Sequence, residues 1–148
     1  MAEKNTLKRM GQIRTGKAWL MVKASMNNGV NIKEYSALAK SLPGVIHING
    51  LGQTLAFMTS KYDKNHYKHL GEQMSSWVLS RLEGKNMGNY DVPERVGQDK
   101  ILALIQRIMD NTHGDYRLAT KEALSFLNVI RNLASGLADG EQQQGRPS

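Results

Sequence analysis

The chain has 148 residues and a mass of 16.5 kDa, which supports one compact domain burying about 70% of the surface that its unfolded chain exposes. It contains no cysteine, which excludes disulfide scaffolds, zinc ribbons, iron–sulfur clusters and thiolate nucleophiles. Forty per cent apolar content reads as a folded globule, and 20 Lys and Arg against 13 Asp and Glu leave a net charge of +7 and a pI near 9.7. That surplus favours an anionic partner: nucleic acid, an anionic membrane surface or an acidic protein.

No stretch reaches about 18 uninterrupted apolar residues, and the N-terminus lacks the apolar core of a signal peptide, so a cytoplasmic protein is expected. β-branched and aromatic residues are sparse, and no hairpin turn separates two alternating runs. The chain reads as all-α, a single compact bundle of about six helices over residues 1–139. A short polar tail over 140–148 is expected to be disordered.

The first helix runs from about Glu3 to Met26 and stops at Asn27-Asn28-Gly29. Leu7, Met10, Ile13, Ala18, Met21 and Val22 form no clean stripe, and Gly11 and Gly16 lie inside, so a kinked or two-part helix fits. Asn31 is placed to cap a second helix carrying Ile32, Tyr35, Leu38, Ala39 and Leu42. Pro43 suits the first turn of a third, with Ile48, Leu51, Leu55 and Met58 at helical spacing. Gly50 and Gly52 weaken that helix by about 1 kcal/mol each relative to Ala, so a close backbone approach should require them.

Asn65 is placed to cap a fourth helix bearing Tyr67, Leu70, Met74, Trp77 and Val78, which fades near Glu83 into a loop over Gly84 to Asp91. A fifth follows Pro93 and is clearest from Asp99 to Asp110, burying Ile101, Leu104, Ile105, Ile108 and Met109. Asp115 can cap the sixth, whose apolar stripe is Tyr116, Ala119, Ala123, Phe126, Leu127, Ile130, Leu133, Ala134 and Leu137. Gly136 and Gly140 mark its expected end.

His66 and His69 are three apart, with Asp63 and Glu72 one turn away, but no third histidine lies nearby to complete a metal site. Solvated surface histidines are the simpler reading, and no metal or cofactor is expected. There is no G-x-S-x-G elbow, no P-loop, and the G-x-G at Gly50-Leu51-Gly52 has neither a preceding strand nor a third glycine, so no enzyme activity is expected.

The cations fall into three groups without matching acids. Lys4, Lys8, Arg9, Arg14, Lys17 and Lys23 occupy the first helix, and Lys61, Lys64 and Lys68 surround the start of the fourth. Arg117 and Lys121 stand four apart on the last helix, with Asn128 extending the same outward face. Such groups suit a phosphate-tracking surface. The aromatic residues mostly fall on apolar faces, so base stacking is not expected to be the main mode.

The run Ser41-Leu42-Pro43-Gly44-Val45-Ile46-His47-Ile48-Asn49-Gly50-Leu51-Gly52-Gln53-Thr54-Leu55-Ala56-Phe57, followed by Lys61, resembles the signature of the small helical subunit of type III-B (Cmr) CRISPR RNA-guided complexes. Tyr116 to Leu127 (YRLATKEALSFL) resembles that family's second block, in the same order and separation, and the resemblance covers residues 3 to 138. Val129 stands where the family has an aromatic residue, and Arg131-Asn132 keeps one of two cations.

The resemblance implies a non-catalytic building block that stacks head to tail into a minor filament beside the guide-bound backbone subunits and touches the large polymerase-like subunit. It would line the channel where guide and target RNA pair, in antiviral defence. Arg14, Lys17, Lys61, Lys64, Arg117, Lys121 and Arg131 would then contact RNA phosphates without reading bases, since guide pairing supplies the sequence. Two other readings stay open: a protein-only adaptor in which the charge serves solubility or an acidic partner subunit, and a small nuclease or metal-dependent enzyme using His66 and His69.

Overall fold

A computed structural model describes residues 2–83, 99–110 and 113–144, with side chains for 8–83, 100–109 and 115–140. Among the described residues there are five helices: α1 (Ala2–Asn27), α2 (Ile32–Ser60), α3 (Asn65–Leu82), α4 (Asp99–Asp110) and α5 (His113–Gln144). No strand occurs among the described residues, in agreement with an all-α reading. The expected loop over Gly84 to Asp91, the Pro93 helix start and residues 145–148 lie outside the described residues.

The helix count is corrected from about six to five because Pro43 does not start a helix. It sits inside α2, which continues through it. Pro43 has no N–H to give the carbonyl of Ala39, but the buried Leu42 and Ile46 on either side hold the turn in register. The true interruption comes seven residues later, at Gly50, whose φ of 83° and ψ of 161° lie in a region open in practice only to glycine.

The ends of α1 and α2 form as their sequences dictate. Gly29 takes a left-handed φ of 81°, and the Gly29 and Val30 N–H groups return to the Met26 and Ser25 carbonyls at 3.1 and 3.0 Å, the two bonds of a Schellman stop. Asn31 Oδ1 then accepts from the Lys33 and Glu34 N–H groups at 3.0 and 3.1 Å and caps α2. Asn65 is not the cap expected of it. Lys64 holds that position with no side-chain bond to the backbone, and Asn65 is the first helical residue.

α5 is the spine, packed against α1, α2 and α3, while α3 lies between α2, α4 and α5. That central position buries every residue of α3 from His69 to Val78, not one stripe of it. Gln73 is the polar member that ties it to its neighbours, whereas Ser75 Oγ and Ser76 Oγ are buried without a hydrogen-bond partner among the described residues. Tyr35 Oη donates to Gln73 Oε1 at 2.7 Å, and Gln73 Nε2 donates to Ser25 Oγ at 2.7 Å and to the Met21 carbonyl at 3.0 Å, tying α1, α2 and α3 together. Burial pushes the Tyr35 phenol well above its ordinary pKa, so it stays a neutral donor.

In α4, Ile101, Leu104 and Ile108 are buried as expected, but Met109 is 75% exposed. The stripe of α5 from Ala119 to Ala134 is buried, and the helix runs through Gly136 and Gly140 to Gln144, beyond its expected end. No described helix is long and apolar enough to cross a membrane.

Candidate nucleic-acid interface

A cationic surface runs along the outer side of α5. At 100° per residue, Arg117, Lys121, Asn128 and Arg131 fall within a band of about 80° along roughly 21 Å of helix. Arg117, Lys121 and Asn128 are exposed, and Arg131 Nη2 donates to Asn128 Oδ1 at 2.7 Å. The first acid on this band is Asp139, two turns beyond Arg131. The apolar stripe on the opposite side is what turns these side chains outward.

Arg14 and Lys17 do not join that surface, which corrects their placement on an open cationic face. Arg14 Nη2 reaches Glu122 Oε2 at 3.4 Å, with its guanidinium 5.6 Å over the Trp77 ring. Arg81 Nε donates to Glu122 Oε1 at 3.3 Å, and the Trp77 indole N–H donates to Oε2 at 2.9 Å. Glu122 is thus a buried carboxylate held by two guanidiniums and an indole, joining α1, α3 and α5. Lys17 is 9% exposed, turned into the same side of α1.

The third group is divided. Lys61 Nζ lies 5.9 Å from the Phe57 ring centre and Lys68 Nζ 5.2 Å from that of Tyr62, each over an aromatic face. Lys64 is exposed and lines a polar cavity of about 480 Å³ with Gly29, Asn31, Glu34, Asn65 and His66. His69 is buried and His66 half-buried, which corrects the expectation of two solvated surface histidines. His66 Nδ1 meets Glu34 Oε2 at 3.1 Å, and His69, buried, places Nδ1 3.0 Å from the Asn65 carbonyl.

Burial holds both histidines below their usual pKa. Glu34 opposes that shift at His66 and Lys64 reinforces it, while the Asn65 carbonyl opposes it at His69 and Lys68 reinforces it. Among the described residues, no group of three or more His, Asp or Glu converges to hold a metal.

The glycine pair at 50 and 52 also finds its reason here, though not the one expected. The close neighbour is the Tyr116 side chain from the start of α5 and not another backbone. A Cβ at Gly50 would lie 3.0 Å from Tyr116 Oη, and the Gly52 N–H donates to that oxygen at 3.2 Å.

A family model described as CRISPR-associated protein (Cas_Cmr5) matches residues 10–137. The chain belongs to this family. Cas_Cmr5 proteins are small subunits of type III-B Cmr complexes, so the chain associates with other subunits of a CRISPR effector complex. The match takes in the Gly50 break, the Glu122 cluster and the cationic band of α5 together.

Two features of this Cas_Cmr5 chain escaped the reading of its sequence. Lys33 and Lys40 stand seven apart on the exposed side of α2, a spacing that was legible, and with Ser36, Ser135 and Asp139 they line a groove of about 220 Å³ against α5. Ile48 is 83% exposed, although its spacing with Leu51, Leu55 and Met58 suggested a core position. It misses the core because the Gly50 break changes the helix's direction just after it.

Proposed function

We propose that this chain is a non-catalytic small subunit that stacks head to tail into a minor filament of its effector complex and lays the outer band of α5 along the backbone of the guide–target RNA duplex. The observation that carries this reading is the division of charge across α5. Arg14 and Arg81 are drawn inward to Glu122, whereas Arg117, Lys121 and Arg131 remain on a band with no acid from 117 to 131. Cations left without acids are the ones available to displace counterions from phosphates. Lys64 and Lys61, at the junction of α2 and α3, extend the contact, and Arg14 and Lys17 serve the fold.

Stacking needs a patch on one copy that fits a different patch on the next, since a head-to-tail contact is heterologous. The exposed Ile48 and Met109 support such a contact, because neither side chain is used by the chain's own core. They also favour a second reading, a protein-only adaptor whose charge never meets RNA. Target-strand footprinting of complexes assembled with and without the chain separates the two. The RNA reading expects added protection of the strand, and an unaltered footprint with normal assembly would support the adaptor.

The test of the band itself is charge reversal. A complex carrying Arg117→Glu and Lys121→Glu should capture target RNA more weakly and with a shallower dependence on salt. An unchanged slope would remove these residues from the RNA surface.

A further inference from the structure

The Gly50 break makes a new helix start in the middle of α2. Leu51, Gly52 and Gln53 open the second stretch, and a helix start ordinarily has a side-chain oxygen on the preceding residue to accept the N–H of its second or third residue. Gly50 has no side chain to offer. Tyr116 Oη occupies that role from across the fold, accepting the Gly52 N–H at 3.2 Å. Thr54 Oγ1, donating to the Gly50 carbonyl at 2.8 Å, fixes the other side of the break. Residue 50 is therefore constrained twice, by a φ of 83° and by a hydroxyl only 3.0 Å from where a Cβ would lie.

Tyr116 immediately precedes Arg117 and lies five residues before Lys121. A bond from its hydroxyl to the backbone of α2 restrains the first turns of α5 in both position and rotation. That is the end of the cationic band where two of its three charges sit.

We infer that Tyr116 is a positioning residue for the cationic band: its hydroxyl caps the second stretch of α2 in trans and holds the start of α5 so that Arg117 and Lys121 present to a phosphate backbone. The inference rests on the RNA-contact reading proposed above.

The test uses the assembled complex and a guide-complementary RNA strand, with affinity measured across a salt series. Tyr116→Phe keeps the ring and removes the acceptor. It should weaken capture about fivefold and lower the slope of log affinity against log salt by about 0.9, the loss of one duplex phosphate contact. Gly50→Ala crowds the same oxygen and should act in the same direction. Gly52→Ala, whose Cβ would lie at an ordinary 3.9 Å from Oη, should leave the slope unchanged.

A purely structural tyrosine would lower the melting temperature of Tyr116→Phe and leave its salt slope at the wild-type value, which overturns the inference. If that happens while Arg117→Glu/Lys121→Glu still flattens the slope, the RNA reading stands and only the positioning role is lost. If the double reversal has no effect either, both fail. Should Tyr116→Phe assemble poorly, Gly50→Ala against Gly52→Ala decides alone: equal slopes overturn the inference, and a drop confined to position 50 supports it.

Discussion

The two sides of α5 carry neighbouring residues to opposite ends. Glu122, on the inner side, gathers Arg14 from α1 and Arg81 from α3 at its buried carboxylate. Lys121, one residue earlier, faces out on a band with no acid within reach along the helix. A cation's role is therefore set by what the fold brings to it and not by how many cations surround it in the sequence. Arg14 looked like part of an open basic surface because its acid partner lies 108 residues away in the chain, whereas Lys8, Arg9 and Lys23 of the same helix are exposed.

Substitutions on the inner side should cost the most. Glu122→Gln leaves two guanidiniums without their carboxylate, and removing one partner of a buried ion pair costs about 3 kcal/mol or more. Denaturant unfolding should show that loss, with a smaller one for Arg14→Met. Equal stability of Glu122→Gln and wild type would mean that the cluster does not hold α1 to the bundle.

Next in size is the junction where α5 begins. Gly50→Ala should destabilise the chain by about 1–3 kcal/mol through its backbone conformation alone. Gly52→Ala, in helical conformation with only ordinary contacts, should gain up to about 1 kcal/mol. Thermal melts of the pair measure this directly, and a Gly50→Ala variant as stable as Gly52→Ala would contradict the break as described.

On the outer side the expectation reverses. Arg117→Glu with Lys121→Glu should change stability by less than about 0.5 kcal/mol, because neither side chain is part of the core. The same variant should lower the salt slope of RNA capture by about 1.8, two duplex contacts at about 0.9 each. A large loss of stability here would place these residues with the inner cluster.

The smallest effect belongs to the α2–α3 junction. His66 and His69 both have folded pKa values held below the ordinary 6.5, chiefly by burial, so the unfolded chain takes up protons first as the pH falls. Stability should be complete above about pH 6.5 and decline as the pH drops through the two lowered values. Replacing both with Gln should flatten that decline between pH 7.5 and 5. An undiminished slope in the double variant would assign it to other groups.

Local rules made much of the fold legible. The Schellman stop at Gly29, the Asn31 cap, the 99–110 helix and the stripe of α5 depend on residues close in sequence, and each is present. What could not be read depends on partners far away. Pro43 marks a helix start only when nothing else holds the turn, and here Leu42 and Ile46 hold it. The break falls at Gly50, whose φ of 83° suits glycine, and it is met by Tyr116, 66 residues later, whose hydroxyl accepts the Gly52 N–H. α3 offered an apparent stripe, but its polar residues are buried too, and one of them, Gln73, is paired to Tyr35 and Ser25 on other helices. The outer band of the candidate site was visible as spacing, whereas the removal of Arg14 and Lys17 from it was not.

Site-specific photo-cross-linking from position 121 in the RNA-loaded complex addresses the RNA contact most directly. The account predicts cross-links from residue 121 to the RNA strands. Cross-links from that position to protein subunits alone, in a complex that has captured its target, would contradict it.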